Sequence, residues 1–207
     1  MHYTRVKICG ITRVDDALHA CHAGADAIGM VFCDKSPRHL DVFQAAEISK
    51  ALPAFVTSVA LFMNATEAQI RQVLSEVAID CIQFHGDEEA SYCRQFGRPY
   101  IKAIAMDDDL DLSKQVASYH DARGLLLDSH APGQVGGTGK VFDWNKIGQD
   151  IGLPLILAGG LGVENVAEAV KKVRPYAVDV SSGVEREKGL KDAELITAFI
   201  HEVKHVE

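Results

Sequence analysis

The strongest constraint on this chain is a rhythm. Eight short runs of β-branched and aliphatic residues, at positions 6–9, 27–32, 56–62, 81–85, 100–105, 124–128, 155–158 and 177–181, alternate with segments of helical period. Their starts lie roughly 19–30 residues apart, the spacing of β-α units. Between the runs, apolar residues return every three or four positions, as in Ile70, Val73, Leu74 and Val77, or Val163, Val166, Ala167 and Val170. Several helix starts carry capping chemistry: Asn64 or Thr66 before Glu67, Asp87 with Glu88 and Glu89, Asp143 before Trp144, and Asp192 ahead of Leu195 and Ile196. The last of these predicts a helix over about 190–206.

Leu125-Leu126-Leu127 and Leu155-Ile156-Leu157 are apolar at every position. Strands of that kind are buried on both faces, as in a parallel sheet covered by helices. Eight β-α units can close into a (β/α)₈ barrel, and 207 residues fits the short end of that fold. An open doubly wound sheet is the alternative. The barrel is favoured because polar residues gather at the ends of many different strands, as a ring of loops around one mouth requires. No low-complexity linker interrupts the chain, so one barrel domain over 1–207 is expected.

Composition narrows the partners. Lysine and arginine total 21 against 29 acidic residues, a net charge of −8 that leaves no cationic footprint for nucleic acid or an anionic membrane. No apolar run approaches the roughly 20 residues of a membrane span, and the first 13 residues lack the basic start and apolar stretch of a secretory signal. A cytoplasmic protein is expected. Its cysteines (Cys9, Cys21, Cys33, Cys81, Cys93) are odd in number and never form a C-x-x-C pair, which favours reduced thiols over a disulfide framework or structural zinc.

The strand ends carry the chemistry. Strand alternation puts Lys7 and Cys9 on one face and Val6 and Ile8 on the other, so Cys9 is expected to look into the mouth. A buried thiol is usually inert packing, but a lysine two residues away on the same face favours the thiolate. Asp128 follows three leucines at the end of the sixth run, where it either fixes a loop or acts as an acid against apolar walls. Asp179 lies within the eighth run, facing inward beside the first strand, where it can pair with Lys7.

Two turns stand out further: Ala158-Gly159-Gly160-Leu161 after the seventh run and Ser181-Ser182-Gly183 after the eighth. Loops after strands 7 and 8 of such barrels commonly bind phosphate, because bare backbone N–H groups converge there. Each turn alone could be an ordinary tight turn; both at those two strands point to an anion site.

Other motifs fall short. Gly160-x-Gly162 resembles a dinucleotide fingerprint, with Asp179 downstream, but Asn165 replaces the third glycine. Gly136-Gly137-Thr138-Gly139-Lys140 suggests a P-loop, yet Gln134 and Val141 occupy positions that need glycine and Ser or Thr. It reads as a mobile glycine-rich loop. His19, Cys21 and His22, and His201 with His205, have helical spacings compatible with metal but read better as solvated faces.

Taken in order, Lys7-Ile8-Cys9-Gly10-Ile11-Thr12, Lys35-Ser36-Pro37-Arg38, Gln83-Phe84-His85-Gly86, Leu127-Asp128, Gly136-Gly137-Thr138-Gly139-Lys140, Phe142-Asp143-Trp144, Ala158-Gly159-Gly160-Leu161 and Val178-Asp179-Val180-Ser181-Ser182-Gly183-Val184-Glu185 resemble the phosphoribosylanthranilate isomerases of tryptophan biosynthesis. The resemblance runs from about residue 5 to 200. It implies an Amadori rearrangement of a phosphorylated substrate, with Asp128 as general acid, Cys9 as general base and no metal or cofactor. Arg38 would suit the anthranilate carboxylate, since a guanidinium can grip it bidentately. Gly159, Gly160, Ser181 and Ser182 are the phosphate candidates, and Asp179 is a substrate contact with no named partner. His85 sits at the mouth without an assigned role. Transient association with other tryptophan-pathway enzymes is compatible with the resemblance. The competing readings are another phosphosugar isomerase or epimerase barrel, in which Cys9 would be idle, and a non-catalytic phosphosugar-binding module, which needs neither Cys9 nor Asp128.

Overall fold

In the computed structural model, which describes residues 3–106, 110–129, 144, 147 and 151–206, the eight apolar runs are strands β1 (Arg5–Cys9), β2 (Ala27–Val31), β3 (Thr57–Phe62), β4 (Cys81–Phe84), β5 (Tyr100–Ala105), β6 (Gly124–Asp128), β7 (Leu155–Leu157) and β8 (Ala177–Val180). They pair in parallel in chain order, and β8 pairs back onto β1, which closes the sheet. The closed parallel barrel settles the choice against an open sheet. Helices α1 (Val14–Ala23), α2 (Val42–Ala51), α3 (Glu67–Glu76), α4 (Ala90–Arg94), α5 (Leu112–Ser118), α6 (Val166–Val173) and α7 (Ala193–Lys204) follow strands among the described residues.

Strand alternation sorts the core into layers. Val6, Ile8, Leu125 and Leu127 are wholly buried in the large cluster shared with the helices. Leu126 packs instead with Ala103, Ile156, Ala158 and Ala177 in a small cluster drawn from β5 to β8 and the end of β7. Cys9 packs with Val31 and Leu61 on the other side of the ring. The inward residues of β1 and β8 meet in register, Lys7 opposite Asp179.

Helix starts follow local chemistry where the side chain is free to fold back. Thr66 caps α3 in a reciprocal pair with Gln69, and Asp192 accepts from the N–H groups of Glu194 and Leu195 at the start of α7. Asn64 and Asp87 do something else. Asn64 adopts a left-handed conformation (φ 52°) and accepts from the Asp87 N–H at 2.8 Å, tying the loop after β3 to the loop after β4. Glu88 is buried beneath that loop, accepting from the N–H groups of Asn64 (2.7 Å) and Gly86 (2.9 Å) and facing the Lys102 ammonium. The α4 helix therefore starts at Ala90, two residues later than a cap at Asp87 would place it, with Glu89 at the N-cap position and no side-chain cap.

The chain end also departs from expectation. Residues 190–191 are not helical: β9 (Glu185–Glu187) and β10 (Leu190–Lys191) form a small antiparallel hairpin, and α7 begins only at Ala193. A left-handed Gly189 (φ 83°) turns the chain back, and residues 190–191 are taken up in pairing with Glu187 and Glu185 instead of starting the helix. The glycine-rich stretch 136–140 and the expected cap Asp143 lie outside the described residues.

Candidate active site

A cavity opens at the C-terminal ends of the barrel strands. Its walls include Cys9 from β1, Ser36 and Arg38 after β2, Met63 after β3, His85 after β4 and Asp128 from β6. Gly159 and Gly160 after β7, Asp179 from β8, and Ser181 and Ser182 after it complete the wall. All eight residues singled out from the sequence thus converge on one cavity.

Cys9 is buried on the wall, and Lys7 lies one inward position below it. The Lys7 Nζ stands 2.8 Å from Asp179 Oδ1, with both side chains almost fully enclosed. Burial works against the Lys7 ammonium, but Asp179 and Cys9 outweigh it and hold the lysine above its ordinary range. At Cys9 the balance falls the other way. Burial pushes the thiol up, Lys7 and Lys191 pull it down, Asp179 adds to the rise, and the result is a pKa above the ordinary cysteine value. The lysine favours the thiolate, as expected from β1 alone, but its charge is shared with Asp179 and does not overcome desolvation.

Across the cavity, Asp128 ends β6 and is largely shielded from solvent. His85 Nε2 lies 3.4 Å from Asp128 Oδ2, and His85 Nδ1 lies 2.9 Å from the amide nitrogen of the wholly buried Gln83. With Gln83 donating to Nδ1, the neutral ring carries its proton on Nε2, the nitrogen facing the carboxylate. Gly159 brings the turn after β7 against this acid. It is left-handed (φ 81°), and a Cβ there would overlap Ser129 and stand 2.8 Å from Asp128 Oδ1.

Arg38 is buried and already engaged. Its Nε donates to Glu185 Oε1 at 2.7 Å and its Nη2 to Glu185 Oε2 at 2.8 Å. One edge of the guanidinium fork is therefore filled by the protein's own carboxylate, and a substrate carboxylate has only the remaining N–H groups to meet. Burial disfavours the Glu185 carboxylate, but Arg38 and Lys191 outweigh it and keep it below its ordinary range.

Sequence reasoning passed over three contributors. Gln83 and His85 are neighbours in sequence, but only the fold shows that His85 reaches Asp128 and that Gln83 holds the far side of its ring. Lys191 carried no local signal, because it falls in what reads as the first turn of the last helix. The histidine pairs stay outside the site: His19 Nε2 bonds the carbonyl of Ala193 at 2.9 Å, and the His201 and His205 rings stack at 4.0 Å. Among the described residues no group of three or more His, Cys, Asp or Glu is placed to hold a metal ion.

Comparison with known proteins agrees along nearly the whole chain. Residues 6–202 match the family model described as N-(5'-phosphoribosyl)anthranilate isomerase. The chain is 53% identical over 204 residues to the N-(5'-phosphoribosyl)anthranilate isomerase of Pseudomonas aeruginosa, covering 99% of this chain and 97% of that one. It is also 53% identical over 205 residues to the enzyme of that name from Azotobacter vinelandii, covering 99% and 100%. Among solved structures, phosphoribosyl anthranilate isomerase from Thermotoga maritima superposes with a TM-score of 0.90 at 42% identity, covering 97% of this chain and 98% of its own. A phosphoribosyl anthranilate isomerase in complex with reduced 1-(o-carboxyphenylamino)-1-deoxyribulose 5-phosphate superposes with a TM-score of 0.86 at 40% identity, again covering 97% and 98%. On sequence, fold and the strand-end cavity together, the chain belongs to the N-(5'-phosphoribosyl)anthranilate isomerase family.

Proposed function

We propose that this protein converts N-(5-phosphoribosyl)anthranilate to 1-(2-carboxyphenylamino)-1-deoxyribulose 5-phosphate by an Amadori rearrangement, with Asp128 as general acid and Cys9 as general base. The observation that carries the reading is the placement of these two groups. They stand on β1 and β6, three strands apart round the closed ring, on the wall of one cavity that also contains the two turns suited to phosphate. An acid and a base on separated strands can serve different atoms of one sugar.

Asp128 delivers a proton to the furanose ring oxygen as its bond to C1 breaks, leaving an imine between C1 and the anthranilate nitrogen. That imine acidifies the C2 proton, which Cys9 removes as its thiolate. The resulting enolamine takes a proton at C1 and loses the O2 proton to become the ketone. The substrate's nitrogen serves as the electron sink, so the chemistry requires no cofactor. Arg38 meets the anthranilate carboxylate with the edge that Glu185 leaves open, and the N–H groups around Gly159, Gly160, Ser181 and Ser182 meet the phosphate. The His85 proton on Nε2 faces the ionised Asp128 that remains after proton delivery.

The test is the loss of substrate fluorescence on adding the purified chain. General acid–base groups contribute about 10²–10⁴-fold, so Asp128→Asn and Cys9→Ala each lower kcat by at least that order while the reduced product analogue still binds. Turnover within tenfold of the parent in either folded variant overturns the assignment of that residue.

A further inference from the structure

Lys191 is a fully enclosed ammonium that the reaction does not use. Its Nζ stands 2.9 Å from Glu185 Oε1, 3.0 Å from the Ser181 carbonyl oxygen and 3.4 Å from Ser181 Oγ. An ammonium offers three donors and no acceptor, so three oxygens around one nitrogen match the charged form. Burial draws the lysine below its ordinary value, and the Glu185 carboxylate opposes that loss.

The same Glu185 holds Arg38 through both of its oxygens. Two cations around one carboxylate leave one positive charge in this buried array. Glu185 and Lys191 reach one another because the β9–β10 hairpin folds back between β8 and α7. Of the three, Arg38 reaches the cavity wall, and it packs beside the turn after β8: a Cβ on Gly10, the residue after Cys9, would lie 2.5 Å from Arg38 Cδ and 3.1 Å from Ser181 Oγ.

The bond to the Ser181 carbonyl has a directional consequence. In a trans peptide the C=O and the following N–H point in opposite directions. With the Ser181 oxygen drawn toward Lys191, the Ser182 N–H is aimed away from it, and Ser182 lines the cavity.

We infer that Lys191 is a positioning residue for the phosphate group of the substrate: from beneath the turn after β8 it fixes the orientation of the Ser181–Ser182 peptide and supplies the uncompensated positive charge of the Arg38–Glu185–Lys191 array. This rests on the proposed substrate, since it concerns how that substrate's phosphate is held. It assigns a function to the hairpin, which delivers both the carboxylate that orients Arg38 and the cation that orients the phosphate turn.

The experiment is calorimetric titration of the full chain with the reduced product analogue and with its dephosphorylated counterpart, alongside steady-state kinetics and circular dichroism. Lys191→Met should weaken the phosphorylated analogue by about 10- to 100-fold, the range of a charge-assisted hydrogen bond. The dephosphorylated analogue should lose less than about threefold, KM should rise and kcat should change little. Lys191→Arg, which keeps the cation, should restore most of the affinity. If Lys191→Met does not fold, Lys191→Gln removes the charge with less apolar bulk beside Glu185 and carries the same expectation. Equal loss for both analogues in a folded neutral variant, or no loss for either, overturns the inference. A parent protein that binds the phosphorylated analogue but shows no turnover overturns the proposed reaction and leaves the Lys191 comparison intact. A parent that binds neither analogue overturns both.

Discussion

The Lys7–Asp179 pair sits directly under the candidate base, and removing its two halves should move Cys9 in opposite directions. Lys7→Met leaves the Asp179 carboxylate buried without its 2.8 Å partner, whereas Asp179→Asn leaves the ammonium facing Cys9 alone. Breaking a buried pair from one side typically destabilises by about 3–5 kcal/mol, because a charge is left uncompensated. For a chain of this length each kcal/mol lowers Tm by roughly 2–4 °C, so either variant should lose on the order of 6–20 °C. The thiol responds with opposite signs. Lys7 stabilises the Cys9 thiolate and Asp179 destabilises it. Lys7→Met should therefore slow alkylation of Cys9 by iodoacetamide at neutral pH, and Asp179→Asn should speed it, each by at least about tenfold if the displaced charge is worth one pKa unit. The assay is Cys9 labelling followed by peptide mass spectrometry against time, on protein shown to be folded by circular dichroism, with turnover measured in parallel. Asp179→Asn should label faster yet turn over more slowly, since Asp179 also lines the cavity. Shifts of the same sign in the two variants, or a Lys7→Met protein as stable as its parent, would show that the pair does not set the charge balance at Cys9.

Further outcomes follow from single contacts. Because burial raises the Cys9 thiol and a base must be deprotonated, kcat/KM should climb with pH along a limb centred above the ordinary cysteine value; a stopped-flow pH series reads it. The Lys7 ammonium is held above its unfolded value of about 10.4, so its contribution to stability is complete below that pH and fades as pH rises through the folded value, which denaturant titrations at alkaline pH will show. Gly159→Val should lower kcat as well as phosphate affinity, because its Cβ would displace Asp128; a loss confined to KM would mean the turn gives way instead. Asp192→Ala removes the cap of α7 and should lower stability by about 1 kcal/mol in chemical denaturation, with kcat unchanged.

Much of the fold was legible because it is written in local periods. A two-residue alternation separates Val6 and Ile8 from Lys7 and Cys9 whatever the rest of the chain does, and eight such runs at β-α spacing admit few architectures. Cys9, Asp128, Gly159 and Ser181 could be placed at strand ends for the same reason: position along a strand determines which end of the barrel a residue reaches. Capping was half legible. Thr66 and Asp192 cap as expected, but Asn64 and Asp87 bond each other across two loops, a choice that no single segment can make.

Only the tertiary structure decided how the charges are divided. Arg38 and Glu185 are 147 positions apart in the chain, and Lys7 and Asp179 are 172 apart, so each pair exists only because the ring closes β8 onto β1. That closure gives Arg38 an internal partner, limits the help Lys7 can give Cys9, and puts Lys191 under the turn at Ser181. Electrostatic energy depends on distance in space and on burial, and a sequence states neither. The alternation of residues determined which groups face the cavity; the closed barrel determined which of their charges are already answered before a substrate arrives.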